Sequence, residues 1–392
     1  MAGQIGRSGR DEVKILLLCY EYPPVGGGGG RVAAQVAAKL ALRGHQIRVL
    51  TAGMGHLPRR EVRDDIEIVR PRSFRRREDT CTVPEMGLYI VTSLLPVLRE
   101  AHRWRPDIIH AHFAVPTGPV ALAAGIFTGV PYVLTAHLGD VPGGVPEQTD
   151  HLFRLLGPFV SPIWRRAQAV TAVSRFVADL ASKAYGVQPI VIPNGVHPIA
   201  SPEIEVHSPR RIVMVGRLSI QKNPVLAMAA LALIKESDWS LDVIGDGPLR
   251  SEMQAAAERE GIEERVTLHG WLSHASVAQV MARSDILLMT SLHEGLPMVA
   301  IEALQWGLAI VGSQIGGMHD VVEEGKNGFL CELTPSAFAE KLKGLLATPE
   351  LLEGMRRASR QKAAEFDLEK IVSAYESVLK DSILKAGGGS GP

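Results

Sequence analysis

The sequence is poor in cysteine and in aromatic side chains, and its charges cancel. Among 392 residues there are three cysteines and 5% aromatic residues, and 42 lysines and arginines balance 42 aspartates and glutamates. The cysteines Cys19, Cys81 and Cys331 lie far apart and form no CxxC pair, which favours a reducing compartment and gives no metal site. Because the net charge is +0, the composition gives no indication of nucleic-acid binding.

Long apolar runs and metal-binding patterns are also missing from the sequence. No run approaches the ~20 apolar residues of a membrane span, and Ile15–Cys19 is too short for the core of a signal peptide. There is no Asp-x-Asp motif and no cluster of histidine, cysteine and aspartate with the spacing of metal ligands. We therefore expect a cytoplasmic protein that binds no metal.

The sequence does contain 46% hydrophobic residues, arranged as short apolar runs that alternate with helical segments. Such alternation is typical of doubly wound α/β sheets, and the length exceeds what one hydrophobic core usually serves. The proline-rich stretch His197–Pro209 has no periodicity and is the predicted linker. We predict a domain over residues 1–197, a second over 198–367, a helix over 368–386 that crosses back to the first domain, and a flexible tail over 387–392.

The strongest local pattern is SDILLMTSLHEGLPMVAIEALQWG, which covers residues 284–307. It predicts a buried strand over Asp285–Thr290, a tight loop, and a helix over Met298–Trp306 that stops at Gly307. Peptide N–H groups at the start of a helix can bind an anion. We therefore predict a phosphate-binding segment at Gly295, Leu296, Pro297, Met298 and Val299.

Two carboxylates flank this segment, Glu294 before the helix and Glu302 inside it. Helical rise places Glu302 about 7 Å along the axis from Pro297, which is the step from a diphosphate to the ribose behind it. A carboxylate accepts hydrogen bonds and therefore suits a pair of ribose hydroxyls. Glu294 would then face whatever lies on the other side of the phosphates. The alternative is that Glu294 only complements the helix dipole and that Glu302 is a solvated surface residue.

Two cations follow the predicted strand Arg211–Val215. Arg217 lies at the end of the strand, and Lys222 lies just before a helix for which Asn223 is the predicted cap. Two cations beside a helix N-terminus match the charge of a diphosphate, although no Walker A motif is present. Solvated surface charge is the alternative interpretation.

The glycines Gly26–Gly30 follow the first predicted strand and let the backbone approach a ligand closely. They do not form a dinucleotide fingerprint, because Arg31 takes the third glycine position and the strand Gln46–Thr51 ends without an acidic residue. NAD binding is therefore not expected, and the next helix is predicted over Arg31–Arg43.

Histidines follow two other predicted strands, His112 after DIIH and His137 after YVLT. The carboxyl ends of parallel strands line ligand sites, so either histidine is a candidate functional residue. The alternative is a purely structural hydrogen bond.

A basic cluster precedes an apolar stretch that begins at Met86, MGLYIVTSLLPVL. Such a pair could hold the first domain against anionic lipid. The alternative is a core-facing helix beside solvated arginines. The cluster consists of Arg70, Arg72, Arg75, Arg76 and Arg77.

Several of these segments together resemble the family-four (group 1) retaining glycosyltransferases. HEGLPMVAIEALQWGLAIVGSQIGGMHDVVEEGKNGFL resembles the family signature, which includes two glutamates eight residues apart. GRLSIQKN resembles the family's phosphate clamp, VIPNGV its inter-domain element, and YEYPPVGGGGGR the start of its N-terminal glycine loop. The resemblance covers roughly Val13 to Ser382, with one departure at His197, where the family often has aspartate.

The resemblance implies a GT-B fold, in which two Rossmann-like doubly wound domains face each other across a cleft. It implies no metal and no cofactor, with a nucleotide diphosphate sugar as the donor substrate. By position, Arg217 and Lys222 would bind the diphosphate, Glu302 the ribose and Glu294 the donor sugar. Gly26, Gly27 and Gly28 would lie against the sugar and phosphates, and His137 near the anomeric centre.

The expected activity is transfer of a hexosyl unit, with retention, from a UDP- or GDP-linked donor to a hydroxyl acceptor. The expected acceptor is a cell-envelope glycan or a lipid-linked saccharide. Front-face attack is the favoured mechanism, and a covalent intermediate on a carboxylate is the other route. A sugar-nucleotide epimerase or hydrolase, and a non-catalytic nucleotide-sugar-binding protein, are the alternative functions.

Overall fold

The computed structural model describes residues 12–78, 80–200 and 203–388. The chain forms two compact units, Met1–Pro193 with Glu369–Pro392 and Asn194–Leu368. Each unit is a largely parallel sheet with helices in its crossovers, as the alternation of strands and helices predicts. The boundary between the two units lies after Pro193, whereas the sequence analysis placed it after residue 197.

The sheet of the first unit has the strand order β3-β4-β2-β1-β5-β6-β7-β8. Among the strands of the described residues in this unit, only β3 and β4 pair antiparallel. The sequence analysis missed β3, because its residues REVR are mostly exposed and form no apolar run. The strands are β1 Lys14–Cys19, β2 Gln46–Leu50, β3 Arg60–Arg63, β4 Ile66–Val69, β5 Ile108–His112, β6 Tyr132–Ala136, β7 Ala169–Ala172 and β8 Ile190–Val191.

The first helix of the first unit starts earlier than predicted. It begins at Gly28 and not at Arg31, because Gly28, Gly29 and Gly30 form its first turn. Glycine has low helix propensity, so the sequence pattern favours a loop there, and close packing decides the outcome. The helices are α1 Gly28–Leu42, α2 Val83–Trp104, α3 Thr117–Thr128, α4 Pro146–Arg165 and α5 Arg175–Tyr185.

The second unit has a wholly parallel sheet with the order β11-β10-β9-β12-β13-β14. Its strands are β9 Arg210–Val215, β10 Trp239–Ile244, β11 Val266–Gly270, β12 Ile286–Met289, β13 Ala309–Ser313 and β14 Gly328–Cys331. Its helices are α6 Pro224–Ala232, α7 Arg250–Glu260, α8 His274–Ala282, α9 Met298–Trp306, α10 Pro335–Ala347 and α11 Pro349–Ala363.

The last helix, α12, covers Leu368–Gly388, and from Glu369 onward it belongs to the first unit. Ion pairs hold it to the end of α1, with Lys39 Nζ 2.5 Å from Glu369 Oε1 and Arg43 Nη1 2.8 Å from Glu376 Oε2. Residues 387 and 388 of the predicted flexible tail are helical, and residues 389–392 lie outside the described residues.

A buried ion pair ties α11 to the start of β12 in the second unit. Arg356 Nη1 lies 2.5 Å from Asp285 Oδ1, and both residues are almost fully buried. Arg356 Nε also donates to the carbonyl of Gly307 at 2.7 Å. The carboxylate of Asp285 accepts further from the peptide N–H of Arg211 at 2.8 Å, with His207 Nδ1 at 2.9 Å. The guanidinium therefore joins three segments that are distant in sequence.

We expect Arg356→Met to lower the free energy of unfolding by about 3 kcal/mol, because it leaves the buried carboxylate of Asp285 without its main counter-charge. Urea denaturation measures the change. Arg357→Met is the matched control, since that side chain is 69% exposed and pairs with Glu353 on the same helix. The control should change stability by about 0.5 kcal/mol or less. Equal losses in the two variants would contradict the proposed role of the pair.

Candidate active site

The predicted strand, loop and helix are present in the second unit. Strand β12 is buried along its length, and α9 has the predicted bounds. Pro297 is the N-cap residue with φ −73°, and Gly307 ends the helix in the left-handed region with φ +67°. The N–H groups of Met298 and Val299 lie in the first turn, where a helix has no internal acceptors for them. This part of the chain can therefore donate to an anion.

The turn before α9 rests on a glycine from another loop. The peptide N–H of Gly317 donates to the carbonyl of Glu294 at 3.0 Å. A Cβ atom on Gly317 would lie 1.9 Å from the carbonyl oxygen of Gly295. The two backbones therefore touch directly, which only glycine permits. The sequence analysis did not single out Gly317, because nothing near it in the chain shows what it packs against.

Arg217 and Lys222 line one small pocket at the carboxyl ends of β9 and β12. Gly216 has φ +147°, and a Cβ atom on it would lie 3.3 Å from Cε of Lys222. The lysine side chain therefore runs closely over this glycine. The structure thus places both predicted cations of the second unit around one pocket.

Lys222 is in direct contact with Glu294. Its Nζ lies 2.5 Å from Glu294 Oε1, and the hydroxyl of Ser291 donates to the same oxygen at 2.8 Å. The side chain of Glu294 is 9% exposed and that of Lys222 is 22% exposed. The family resemblance implies that Lys222 binds the diphosphate and that Glu294 binds the sugar of the donor. In this structure the two side chains are paired with each other.

Glu302 lies inside α9 with its side chain 15% exposed, so it is not a solvated surface residue. His274 Nε2, at the start of α8, lies 3.5 Å from Glu302 Oε1. Glu302 is therefore partly shielded from solvent, in the same helix as the first-turn N–H groups of Met298 and Val299.

In the first unit, the glycine segment is organised by a carboxylate that the sequence analysis missed. Glu21 Oε2 accepts from the peptide N–H of Gly27 at 2.9 Å, while Gly26 has φ +101° and donates to the carbonyl of Glu78 at 2.8 Å. A Cβ atom on Gly30 would lie 2.5 Å from the carbonyl oxygen of Glu21. Gly28 is the first residue of α1. The glycines are therefore held in place by close backbone packing.

His137 follows β6 and is held on three sides. Its ring stacks on Phe113 with centroids 4.2 Å apart, and a Cβ atom on Gly29 would lie 3.3 Å from Cε1 of the ring. Its peptide N–H donates to Asp140 Oδ2 at 2.8 Å, and its Nε2 lies 3.4 Å from Nδ1 of His112. Burial lowers the pKa of His137 to about 4, so the ring is neutral at pH 7.

Two more buried imidazoles continue from His137 into the core of the first unit. The rings of His112 and His110 are 4.4 Å apart, and His110 Nε2 lies 2.8 Å from the hydroxyl of Thr135. The ring of Tyr375 from α12 lies 5.3 Å from that of His110. Burial lowers the pKa of His110 to about 3 and that of His112 well below its usual range. The three histidines thus form an uncharged row.

Within the described residues, no group of three or more histidine, cysteine, aspartate or glutamate side chains could hold a metal ion. In the same part of the chain, no helix is both long enough and apolar enough to cross a bilayer.

Comparison with known proteins places this chain in a family. The model of the group 1 glycosyl transferases matches residues 200–362, and that of glycosyltransferase family 4 matches residues 26–200. The 2-deoxystreptamine glucosyltransferase of Streptomyces kanamyceticus is 30% identical over 88% of this chain and 97% of its own length. The chain belongs to the group 1 glycosyltransferases. The glycogen synthase of Mycobacterium tuberculosis is 27% identical over 93% of this glycosyltransferase and 94% of its own length.

Solved structures confirm the predicted GT-B fold. Sucrose-phosphate synthase from Thermosynechococcus elongatus superposes with a TM-score of 0.81 at 19% identity, over 95% of this glycosyltransferase and 99% of that chain. Anabaena HepE in complex with UDP gives a TM-score of 0.75 at 21% identity, over 94% and 100%. At these identities the similarity concerns the fold of the glycosyltransferase.

We expect Gly317→Ala to lower the free energy of unfolding by about 1–3 kcal/mol, because the methyl group forces the turn at Glu294–Pro297 away from Gly317. Hydrogen exchange at residues 294–298 should become faster. Gly354→Ala is the matched control, since Gly354 lies inside α11 and a Cβ atom there has no neighbour within 4 Å. The control should be neutral or slightly stabilising. Unchanged exchange at residues 294–298 in Gly317→Ala would disprove the supporting role of this glycine.

Proposed function

We propose that this glycosyltransferase moves a hexosyl unit, with retention, from a nucleotide diphosphate sugar to a hydroxyl acceptor, and that it needs neither metal nor cofactor. The observation that carries the proposal is that Arg217 and Lys222 line one pocket and that Lys222 contacts Glu294, in the loop that leads into α9. A diphosphate bound there would contact two cations and the N-terminus of α9. Glu302 is about 7 Å further along the helix axis, which matches the step from a diphosphate to the ribose attached to it.

The proposed chemistry is governed by the charge of the leaving group. The bond between the anomeric carbon and the phosphate oxygen breaks, and the leaving nucleoside diphosphate takes the electron pair. Arg217, Lys222 and the N–H groups of α9 stabilise that charge electrostatically. In front-face attack the acceptor oxygen forms the new bond on the same face of the sugar, and its proton passes to the leaving phosphate. A covalent intermediate on a carboxylate is the other route to retention.

His137 is proposed to lie near the anomeric centre, in accordance with the family resemblance. A sugar that loses its phosphate develops positive charge on that carbon. A neutral imidazole can donate or accept a hydrogen bond there without repelling this charge, and burial keeps His137 neutral. Gly26, Gly27 and Gly28 would leave room for a sugar and its phosphates beside the start of α1.

The donor and the acceptor are proposed from relatives and from the surface of the first unit. Anabaena HepE was solved with UDP-glucose, and the Streptomyces relative is named a glucosyltransferase, so a UDP-linked hexose is the first donor to test, followed by a GDP-linked one. The proposed acceptor is a cell-envelope glycan or a lipid-linked saccharide. The protein would act in the cytoplasm, in peripheral contact with the inner face of the membrane.

The proposed membrane contact uses fewer arginines than the sequence analysis expected. Arg70 is buried and pairs with Glu61 at 2.7 Å, and Arg75 is buried beneath the ring of Tyr20. These two arginines are therefore structural. The side chains that remain exposed in this segment are those of Arg72, Phe74, Arg76 and Arg77.

The start of α2 lies next to this basic segment, because the peptide N–H of Arg76 donates to Glu85 at 3.0 Å. Helix α2 buries one face, on which Tyr89 and Val97 lie, so it is partly the core-facing helix of the alternative interpretation. Its opposite face exposes the apolar side chains of Leu88, Val91 and Leu95. Arginines beside an exposed apolar stripe are suited to an anionic bilayer surface.

We expect Glu302→Gln and Glu294→Gln to affect different steps. Glu302 would hold the ribose equally in the ground and transition states, so its loss should weaken UDP binding about ten- to a hundredfold. Glu294 would contact the sugar as positive charge develops, so its loss should lower kcat by a similar factor without loss of UDP affinity. Calorimetric titration with UDP and donor kinetics measure both effects. Loss of UDP affinity in Glu294→Gln would reverse the proposed orientation of the donor.

The same assays test metal independence and the alternative activities. Turnover and UDP affinity should persist in EDTA, and recovery only on addition of Mg²⁺ or Mn²⁺ would contradict the electrostatic clamp. Donor consumption without any acceptor would favour the epimerase or hydrolase. Donor binding without turnover of any donor and acceptor pair would favour a binding protein.

We expect the triple variant Arg72→Gln, Arg76→Gln and Arg77→Gln to bind anionic vesicles about a hundredfold more weakly, since each cation near the surface contributes about 1 kcal/mol. Val91→Ser with Leu95→Ser should also weaken binding. Co-sedimentation with phosphatidylserine and phosphatidylcholine vesicles measures it. The matched controls are exposed positions of the second unit, which are not part of the patch. They are the triple variant Arg259→Gln, Arg283→Gln and Arg357→Gln, and the double variant Leu233→Ser and Leu333→Ser. Equal binding by the patch and control variants would exclude this surface.

A further inference from the structure

The contact between Lys222 and Glu294 has a consequence for donor binding. The two groups are 2.5 Å apart and lie mostly out of solvent, and Lys222 lines the pocket at the ends of β9 and β12. The ammonium of Lys222 has three N–H donors, and Glu294 takes one of them and compensates its positive charge. A diphosphate within reach of Lys222 therefore competes with Glu294 for that charge.

We propose that Lys222 exchanges partners during each catalytic cycle, from Glu294 in the free enzyme to the diphosphate in the donor complex. This inference rests on the proposed function, because it takes a nucleoside diphosphate as the ligand of Lys222. The exchange makes Glu294 the competitor of the donor phosphates for Lys222. It also releases Glu294 to accept hydrogen bonds from the sugar only once the diphosphate is bound.

The surroundings of the pair support motion of the lysine while the carboxylate stays in place. The main chain of Lys222 is fixed, because its carbonyl accepts from the hydroxyl of Thr290 at 3.1 Å. Its side chain extends from there over Gly216, which has no side chain to hinder rotation. Glu294 keeps a second partner, the hydroxyl of Ser291, when the lysine leaves. Its carboxylate is therefore not left without a donor.

The exchange also favours release of the product. After transfer the sugar no longer occupies Glu294, and that carboxylate again competes for Lys222. The nucleoside diphosphate then loses part of one charge-assisted hydrogen bond, which weakens its binding. Glu294 would thus help to bind the sugar early in the cycle and help to expel the nucleotide late in it.

The test is a double-mutant cycle with UDP as the probe, measured by calorimetry. In Glu294→Gln, Lys222 is no longer held, so UDP affinity should rise about tenfold, which corresponds to about 1.4 kcal/mol. In the Lys222→Met background the same change should alter UDP affinity by about twofold or less, because the lysine for which Glu294 and the diphosphate compete is gone. Glu323→Gln is the matched control, since Glu323 pairs with Lys326 and Lys362 in the same unit and should not affect UDP.

Glu294→Asp separates competition for the lysine from simple repulsion between carboxylate and diphosphate. It keeps the negative charge and shortens the reach by one methylene group, so competition predicts higher UDP affinity, as in Glu294→Gln. Simple repulsion predicts that Glu294→Asp binds UDP with wild-type affinity. It also predicts that Glu294→Gln raises UDP affinity by the same factor whether residue 222 is lysine or methionine. That second pattern, or unchanged affinity in Glu294→Gln, would overturn the inference while leaving the proposed function intact. If the wild type binds none of UDP, GDP and ADP, both the proposed function and the inference are wrong.

Discussion

Parallel pairing is the constraint on which both units depend. Parallel strands need helical crossovers, and the helices cover both faces of the sheet, so central strands such as β12 and β13 are buried along their whole length. A polar side chain within such a strand would be out of reach of any ligand. Functional groups are therefore confined to the carboxyl ends of the strands, and that is where Arg217, Lys222 and His137 lie.

Crowding at these ends explains the glycines of the second unit. A Cβ atom on Gly245 would lie 2.0 Å from the carbonyl oxygen of Gly216, and one on Gly317 would lie 1.9 Å from that of Gly295. In both places two loops meet backbone to backbone. A side chain there would separate the loops that carry Arg217 and the turn before α9.

Local features of the sequence were enough to predict the elements but not the contacts between them. The bounds of α9 follow from Pro297 before it and Gly307 after it, two residues whose backbone preferences act locally. The start of α1 was predicted wrongly because glycine propensity is a local quantity, whereas Phe113 and Glu21 pack on those glycines from elsewhere in the chain. The pair of Lys222 and Glu294 joins positions 72 residues apart, so no spacing rule could predict it.

The basic segment before α2 shows the same limit. Its composition predicts a charged patch, but buried and exposed side chains alternate along it. Ser73 and Arg75 are buried while Arg72, Phe74 and Arg76 are exposed. Composition predicts the total charge of such a segment. Only the structure shows which of its charged side chains are exposed and can contact a partner.

Electrostatics differ between the candidate residues of the two units. In the first unit, burial holds the pKa of His137 at about 4 and that of His110 at about 3, so neither ring is charged at neutral pH. In the second unit the candidate residues include two cations, and one of them is already neutralised by Glu294. A sugar that leaves a diphosphate becomes positive while the diphosphate becomes more negative. The proposed function needs neutral groups for the first charge and cations for the second, since an imidazolium near the anomeric carbon would oppose the bond breaking that Arg217 and Lys222 are proposed to assist.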